Sequence, residues 1–276
     1  MTVRNGAAHL EEAIQSVFNQ SIDNWELVVL DDGSSDATGE ILSWLAGSDS
    51  RIIVLASSGI GRGAALNRAL ESCRSDILSN LDADDLAHPK RAEILSQAFD
   101  NNKDFGAISG KALVFCDGKY FQWPNEDSRY KPHDVTTRLV ASNPVNHSAV
   151  GVSREAIEAV GGYDESRLSQ FDYDLWVRMA EKGYRIGKVN AVLGAKRIHP
   201  EQSYERRSHL TYAWRSAQVR WRAVKVLNTS PVIGALSVAA LLAWAFLPST
   251  IRMGARRLPQ RLFGIGKRNH PGSSPW

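Results

Sequence analysis

The stretch that decides the fold reads Ile77-Leu78-Ser79-Asn80-Leu81-Asp82-Ala83-Asp84-Asp85-Leu86. It starts with a short apolar run bounded by turn residues, which is typical of a buried strand. It ends in three carboxylates within four positions. Because side chains alternate along an extended backbone, Asp82 and Asp84 point the same way.

The acidic end of this stretch places like charges side by side, which destabilises the fold unless a cation lies between them. Oxygen ligands suit a hard divalent ion such as Mg²⁺ or Mn²⁺, which proteins usually hold with one or two carboxylates and substrate phosphates. A plain acidic turn leading into a helix near Pro89 is the other interpretation. At this point the sequence leaves both open.

The length, charge and cysteine content of the chain limit the classes of protein to which it can belong. The 276 residues, with 43% hydrophobic content, suffice for one large domain and a tail, or for two small domains. A net charge of +3 does not indicate nucleic acid, and we expect no such partner. Cys73 and Cys116 lack the spacing of a disulfide framework or a zinc site. No apolar signal peptide follows Met1, so we expect the body to face the cytoplasm.

Strands and helices alternate along the first part of the chain. The pattern predicts strands at Trp25–Leu30, Arg51–Leu55 and Ile77–Asp82, and helices at His9–Phe18, Ala37–Leu45 and Ala64–Cys73. Such alternation implies an α/β sheet that is mostly parallel, and ligands of these sheets bind at the carboxyl ends of the strands. Asp31 and Asp32 lie at one such end and Asp82 at another. We therefore expect both acidic clusters to line one crevice.

A glycine-rich turn, Gly59-Ile60-Gly61-Arg62-Gly63, precedes the third predicted helix. Its backbone N–H groups and the positive end of the helix could approach a phosphate. A flexible loop without a ligand is the alternative.

The order of these motifs resembles that of family 2 glycosyltransferases, the inverting class with a GT-A fold. The resemblance extends over roughly residues 1 to 200 and is carried by Asn5–Val17, Leu30–Ser34, Gly59–Asn67, Leu81–Arg91, Asn146–Arg154, Val160–Glu165 and Gln170–Met179. It implies a nucleotide-binding α/β sheet fused to an acceptor-binding half. The implied activity is sugar transfer from a nucleotide-activated donor, with a divalent metal bridging the diphosphate.

The resemblance also implies roles for individual residues. Asp172 falls on the family's general base, with Phe171 where the family has Glu. The donor is expected at Asn5, Asp31, Asp32, Gly59, Asn67, Asp82 and Asp84. The metal is expected at Asp82, Asp84, Asp85 and His199, and the acceptor at His147 and Trp176.

Each of these roles has a plainer alternative. Asp172 could cap the helix that follows it. His147 could be a structural histidine and His199 a surface residue. Asp174 could pair with Arg178 at i,i+4.

The chemistry of an inverting transfer is consistent with the implied roles. The reaction needs one base to accept the proton of the acceptor hydroxyl, and a positive charge to neutralise the leaving diphosphate. A carboxylate with an ordinary pKa is ionised at neutral pH, so Asp172 could serve as that base.

Two departures from the family pattern stand out. The family opens with a buried strand, and this chain starts at its last residues, Thr2–Asn5. We expect that the start codon was assigned to an internal Met. The alternative is that this chain is a weakened remnant of the family. Processive synthases carry Gln-x-x-Arg-Trp, and Gln218-Val219-Arg220-Trp221 is one residue short, so we expect single-sugar addition.

The region after residue 205 resembles a membrane-associating tail. Tyr212–Val226 interleaves Trp with basic residues, and Val232–Leu247 is almost purely apolar. A sixteen-residue helix spans about 24 Å, short of a hydrocarbon core of ~30 Å. We expect an in-plane or re-entrant helix before a membrane span, and a buried core helix is the third alternative.

These observations divide the chain and indicate its function. We predict a glycosyltransferase domain at residues 1–205 (donor half 1–100, acceptor half 101–205), a helical membrane-associating region at 206–263 and a disordered tail at 264–276. The predicted enzyme is inverting, uses Mg²⁺ or Mn²⁺, and works at the cytoplasmic face of the membrane on a glycan or lipid-linked acceptor. The alternatives are a nucleotidyltransferase and a catalytically inactive nucleotide-sugar-binding or scaffold protein.

Overall fold

The computed structural model describes residues 1–117, 122–127, 130–199 and 209–246. The strands are β1 Thr2–Val3, β2 Leu27–Asp31, β3 Ile52–Ala56, β4 Ile77–Asn80, β5 Leu86–Ala87, β6 Phe105–Cys116, β7 His133–Asp134, β8 Val150–Ser153 and β9 Arg185–Ile198. The helices are α1 Ala7–Phe18, α2 Thr38–Ser48, α3 Arg62–Ser72, α4 Arg91–Asp100, α5 Arg154–Ala159, α6 Phe171–Glu181, α7 His209–Val226 and α8 Pro231–Phe246. Short 3₁₀ turns occupy Thr136–Val140 and His147–Ala149.

The first sheet is parallel and has the order β1-β2-β3. Alternate residues of β2 pack on opposite faces: Val29 packs with α1 and α2, and Leu30 packs with α3. Both residues are fully buried, as expected of a strand covered by helices on both sides. The register pairs Val3 with Asp31 and Asp31 with Ala56, so the carboxyl ends of all three strands lie at one edge. At the other end of β1, the Met1 ammonium group donates to the Val28 carbonyl at 2.8 Å.

The acidic run leaves a second sheet, which is mixed rather than parallel. Its order is β4-β8-β6-β9-β5, with β7 paired to β9, and within it only β6 and β9 run parallel among the described strands. The expected α/β class is confirmed. The expectation that β4 extends the first parallel sheet is wrong, because β4 pairs antiparallel with β8 instead.

The segment that connects β4 to β5 joins the two sheets. Leu81 and Ala87 are buried in the core that α1 and α2 form over the first sheet. Apolar burial on both sides of the acidic run therefore fixes Asp82, Asp84 and Asp85 beside the carboxyl edge of β1 to β3.

The tail forms a helical hairpin whose first helix shares the main core. Val219 and Ala223 of α7 pack in the same apolar cluster as Trp176 of α6. Arg220 of α7 donates to Ser237 of α8 at 3.2 Å, which joins the two helices. The predicted helices at Tyr212–Val226 and Val232–Leu247 are thus confirmed within a residue or a few of their bounds.

Among the described residues, no helix combines the length and the apolarity that a membrane span requires. The predicted disordered tail at 264–276 lies outside the described residues. The predicted domain boundaries stay predictions.

Candidate active site

The acidic turn between β4 and β5 gathers three carboxylates. Asp82, Asp84 and Asp85 each offer an oxygen, and these atoms lie within 4.8 Å of one another. His199, just beyond β9, places its Nε2 atom 3.1 Å from Oδ2 of Asp84. The structure thus brings together all four residues that the resemblance assigned to the metal. Carboxylate oxygens with an imidazole nitrogen form a donor set that fits a divalent ion.

Asp85 is the buried member of this cluster. Its side chain accepts hydrogen bonds from the Ser148 hydroxyl and, at 3.0 Å, from the Arg197 backbone N–H. Burial, and then the negative charge of Asp82, raises the pKa of Asp85 to about 7. A carboxyl group with a raised pKa and a carboxylate neighbour indicates a place where a bound cation would relieve repulsion.

Arg91 makes hydrogen bonds next to the acidic turn. This buried guanidinium donates to the Ser79 hydroxyl at 3.0 Å and to the Ser148 carbonyl at 2.7 Å. Burial lowers its pKa to about 10, against the opposing charges of Asp85 and Asp82. Arg91 therefore ties β4 to the 3₁₀ turn that precedes β8.

Arg197 of β9 holds the turn from the other side. Its guanidinium donates to the Asp84 carbonyl at 3.0 Å and forms ion pairs with Asp117 and Glu12. These contacts bring the end of β9, and with it His199, over the acidic cluster.

Asp31 and Asp32 both accept hydrogen bonds from the protein itself. The Asp31 carboxylate accepts from the backbone N–H of Ser34 at 2.9 Å and holds a local turn. Asp32 is buried and accepts from the Ser57 hydroxyl at 2.6 Å and from the backbone N–H groups of Ile60 and Gly61 at 2.7 and 3.0 Å. Burial alone would raise the pKa of Asp32, but these hydrogen bonds outweigh it and lower the pKa.

These contacts correct the interpretation of the glycine-rich turn. Two of its N–H groups, from Ile60 and Gly61, point at Asp32 and are not directed at a phosphate. Gly59 has φ +87°, a left-handed backbone conformation that favours glycine. Asp32 therefore organises the loop before α3, and donor binding by Asp31, Asp32 and Gly59 stays a prediction.

Two asparagines predicted at the donor site also serve the protein's own backbone. Asn5, with φ +54°, accepts from the Ser35 N–H at 2.8 Å and joins the loop after β1 to the loop after β2. The Asn67 side chain accepts from the Tyr163 N–H at 2.7 Å and donates to the Tyr163 carbonyl at 2.9 Å. Asn67 is thereby occupied in a contact across 96 residues, and its binding of donor stays a prediction.

Asp172 lies in the first turn of α6 and does not cap it, because the cap position is Gln170. The alternative interpretation of Asp172 as an N-cap is therefore wrong. Its Oδ2 atom accepts a hydrogen bond from the Asn143 side chain at 2.8 Å. The expected pair between Asp174 and Arg178 is present at 2.7 Å.

The two residues predicted at the acceptor have different environments. Trp176 is 0% exposed and packs in the main core, which favours a structural role, and its contact with the acceptor stays a prediction. His147 is half-buried; its ring nitrogens lie 3.0 Å from the Asn80 amide and 2.9 Å from the Tyr163 hydroxyl. Burial lowers the pKa of His147 despite the nearby charges of Asp172 and Asp82. These partners favour the structural alternative for His147.

The sequence analysis gave no role to Arg62, the first residue of α3. Its guanidinium forms an ion pair with Asp82 and lies 5.5 Å from the ring centroid of Phe171. The charges of Asp82, and then of Asp172 and Asp84, raise the pKa of Arg62. The only signal in the sequence is a cation between two glycines at the start of a predicted helix, which alone predicts no partner.

The chain shares its family and its fold with known glycosyltransferases. Residues 1–161 match the profile of Glycosyl transferase family 2, and the chain belongs to this family of enzymes. Putative glycosyltransferase EpsE of Bacillus subtilis is 27% identical over 274 residues, which cover 97% of this chain and 96% of EpsE. The UDP-Gal:alpha-D-GlcNAc-diphosphoundecaprenol beta-1,3-galactosyltransferase of Escherichia coli is 27% identical over 215 residues, 76% of each chain.

A solved structure shows the same fold. The mannosyltransferase PcManGT of Pyrobaculum calidifontis, in complex with GDP-Man and Mn²⁺, aligns with a TM-score of 0.60 at 20% identity. The alignment covers 95% of this chain and 81% of that chain. The GT-A fold expected from the resemblance is thus confirmed.

Proposed function

We propose that this glycosyltransferase moves a sugar from a nucleoside diphosphate sugar to a hydroxyl group of a glycan or lipid-linked acceptor, with inversion and with the help of a divalent metal. The single observation that carries this proposal is that Arg62 connects the three carboxylates Asp82, Asp84 and Asp85, hereafter the metal-type cluster, to the residue beside Asp172. Arg62 pairs with Asp82 of the cluster, and it also lies over the ring of Phe171, the neighbour of Asp172. A donor between these groups would have its leaving diphosphate at the cluster and its reacting carbon toward Asp172.

Each side chain has one task in this reaction. Asp172, held by Asn143, accepts the proton of the acceptor hydroxyl as that oxygen attacks the anomeric carbon. Asp82, Asp84, Asp85 and His199 would hold Mg²⁺ or Mn²⁺, which when bound neutralises charge on the departing diphosphate. The relative whose structure contains GDP-Man and Mn²⁺ supports this donor and metal.

The C-terminal helical hairpin supports a membrane location for the enzyme and a lipid-linked acceptor. Large apolar side chains are exposed on the hairpin, among them Trp214 and Trp221 of α7, and basic residues lie beside them. Such a surface fits the interface of an anionic membrane. The Escherichia coli relative is named for a diphosphoundecaprenol acceptor, which supports a lipid-linked substrate. We infer a role in cell-surface polysaccharide or glycolipid synthesis at the cytoplasmic face of the membrane.

The decisive experiment measures nucleoside diphosphate release from a panel of donor sugars, with lipid-linked acceptor, in Mn²⁺ and in chelator. We expect one donor to turn over and the chelator to abolish release. Asp172→Asn should lower kcat by roughly 10²–10⁴-fold, because a positioned base contributes about that much. Donor affinity, measured by calorimetry, should remain.

Glu71→Gln is the matched control, because Glu71 is an exposed carboxylate on α3. It should leave both turnover and donor binding unchanged. Donor binding without turnover in the unaltered chain, across the whole acceptor panel, would contradict the proposal and favour the inactive scaffold. Full activity in Asp172→Asn would contradict the assignment of the base.

A further inference from the structure

We propose that Arg62 couples the metal to the donor: its guanidinium holds Asp82 in the donor-free protein and transfers to the donor's diphosphate when a cation takes Asp82. This inference rests on the proposed function, and it assigns Arg62 a part that the sequence did not indicate. Three features of the structure carry it: the partner of the guanidinium, its accessibility and its position.

The partner is a residue of the metal-type cluster. Arg62 donates through Nη2 to Oδ1 of Asp82, and the same oxygen accepts from the Asn80 side chain at 3.2 Å. Two donors on one carboxylate oxygen leave it poorly placed to serve a metal ion as well. A divalent ion bound to Asp82 would also lie within a few ångströms of the guanidinium and would repel it.

The guanidinium is free to move once released. The Arg62 side chain is 41% exposed, so it is held by Asp82 and the Phe171 ring and not by a packed core. The planar fork of arginine binds phosphate oxygens bidentately, which a diphosphate leaving group offers.

The position of the Arg62 guanidinium explains why its movement from Asp82 to the diphosphate would aid the reaction. The guanidinium contacts both Asp82 of the cluster and the ring of Phe171, the residue before Asp172, so it is within reach of a diphosphate held at the cluster. Diphosphate and metal then bind cooperatively, because the diphosphate gives the displaced Arg62 a new partner. By linkage, the metal must tighten nucleotide binding by the same factor as the nucleotide tightens metal binding.

The test is titration calorimetry of Mn²⁺ with the full chain, alone and with saturating UDP or GDP. We expect the nucleotide that binds to raise Mn²⁺ affinity at least tenfold. Arg62→Gln should bind Mn²⁺ alone as tightly as the unaltered chain or more tightly, and its coupling should be at least threefold smaller, because only the direct contact between ion and diphosphate remains. Arg62→Lys keeps the positive charge but loses the planar guanidinium that binds two phosphate oxygens at once, and it should show intermediate coupling.

Arg68→Gln is the matched control, since Arg68 is an exposed arginine on the same helix. It should keep the full coupling. Unchanged coupling in Arg62→Gln, or weaker Mn²⁺ binding by that variant without nucleotide, would overturn the inference while leaving the metal site intact. Failure of Mn²⁺ to bind the unaltered chain with either nucleotide would overturn the metal in the proposed function, and the inference with it.

Discussion

Asp85 makes the stability of the metal-free protein depend on pH. In the unfolded chain an aspartate ionises near pH 3.9, whereas in the folded protein burial and the charge of Asp82 raise the pKa of Asp85 to about 7. Between about pH 4 and about pH 7 the folded state keeps a proton that the unfolded state has released. The free energy of unfolding should therefore fall as pH rises through this window, by up to about 1.4 kcal/mol per pH unit from this group.

Urea unfolding in chelator at pH 5 and pH 7.5 measures this effect. Asp85→Asn should flatten the decline, whereas Asp84→Asn, at a more exposed position, should not. Saturating Mn²⁺ should restore stability at pH 7.5, because a ligand that binds only the folded state stabilises it by mass action. An equal decline in the unaltered chain and in Asp85→Asn would show that other groups cause it.

Asn143 positions the proposed base. Its amide donates to Asp172 at 2.8 Å, and its own oxygen accepts from the Val145 N–H at 3.1 Å. Asn143→Asp keeps the second contact but places a like charge beside Asp172. We expect kcat to fall on the order of tenfold at neutral pH and the acidic limb of the pH–rate profile to move to higher pH. A lower kcat with an unmoved pH profile would indicate a structural role only.

At the scale of elements, α6 and α7 are joined through one buried charge. Asp174 is 1% exposed and pairs with Arg178 of α6 at 2.7 Å, with Arg167 at 3.1 Å and with Arg222 of α7 at 3.4 Å. Removing one partner of a buried ion network leaves uncompensated charge. We expect Asp174→Asn to destabilise the protein by about 3–5 kcal/mol, measured by urea unfolding.

Glu181 provides the matched control for Asp174. It pairs with the same Arg222, but its side chain is half exposed. Exposed pairs are worth at most about 1 kcal/mol, so Glu181→Gln should be nearly neutral. Similar losses in the two variants would contradict the view that burial of Asp174 joins α7 to α6.

The sequence predicted elements better than it predicted side-chain partners. The strand before Asp82 and the helix after Gly61 follow from local apolar patterns, and the acidic cluster follows from adjacency in the chain. The pairing of β4 with β8, by contrast, joins residues 70 or more positions apart, and no local pattern encodes it. Likewise Asn67 and Trp176 matched family motifs, but their environments depend on long-range packing that only the fold reveals.

At the scale of the whole molecule, the hairpin presents one continuous face. Trp214, Gln218, Trp221 and Lys225 recur at helical spacing on the exposed side of α7, and the groove that Trp214, Trp221 and Lys225 border also reaches Val238 of α8. The opposite side of α7 is buried against the catalytic body through Val219 and Ala223. A membrane bound to the outer face would therefore be held close to α6 by the same helix.

Vesicle co-sedimentation tests this face. We expect the protein to bind vesicles with anionic lipid and to dissociate as salt rises, because the basic residues are attracted to the headgroups. Trp214→Ser combined with Trp221→Ser should lower the partition coefficient at least about tenfold, since each indole buries apolar area in the interface. Trp44→Ser is the control, because Trp44 is 66% exposed but lies on α2 over the other sheet. Equal losses in both variants would mean that the hairpin is not the membrane surface, and equal binding to neutral vesicles would remove the electrostatic part of the argument.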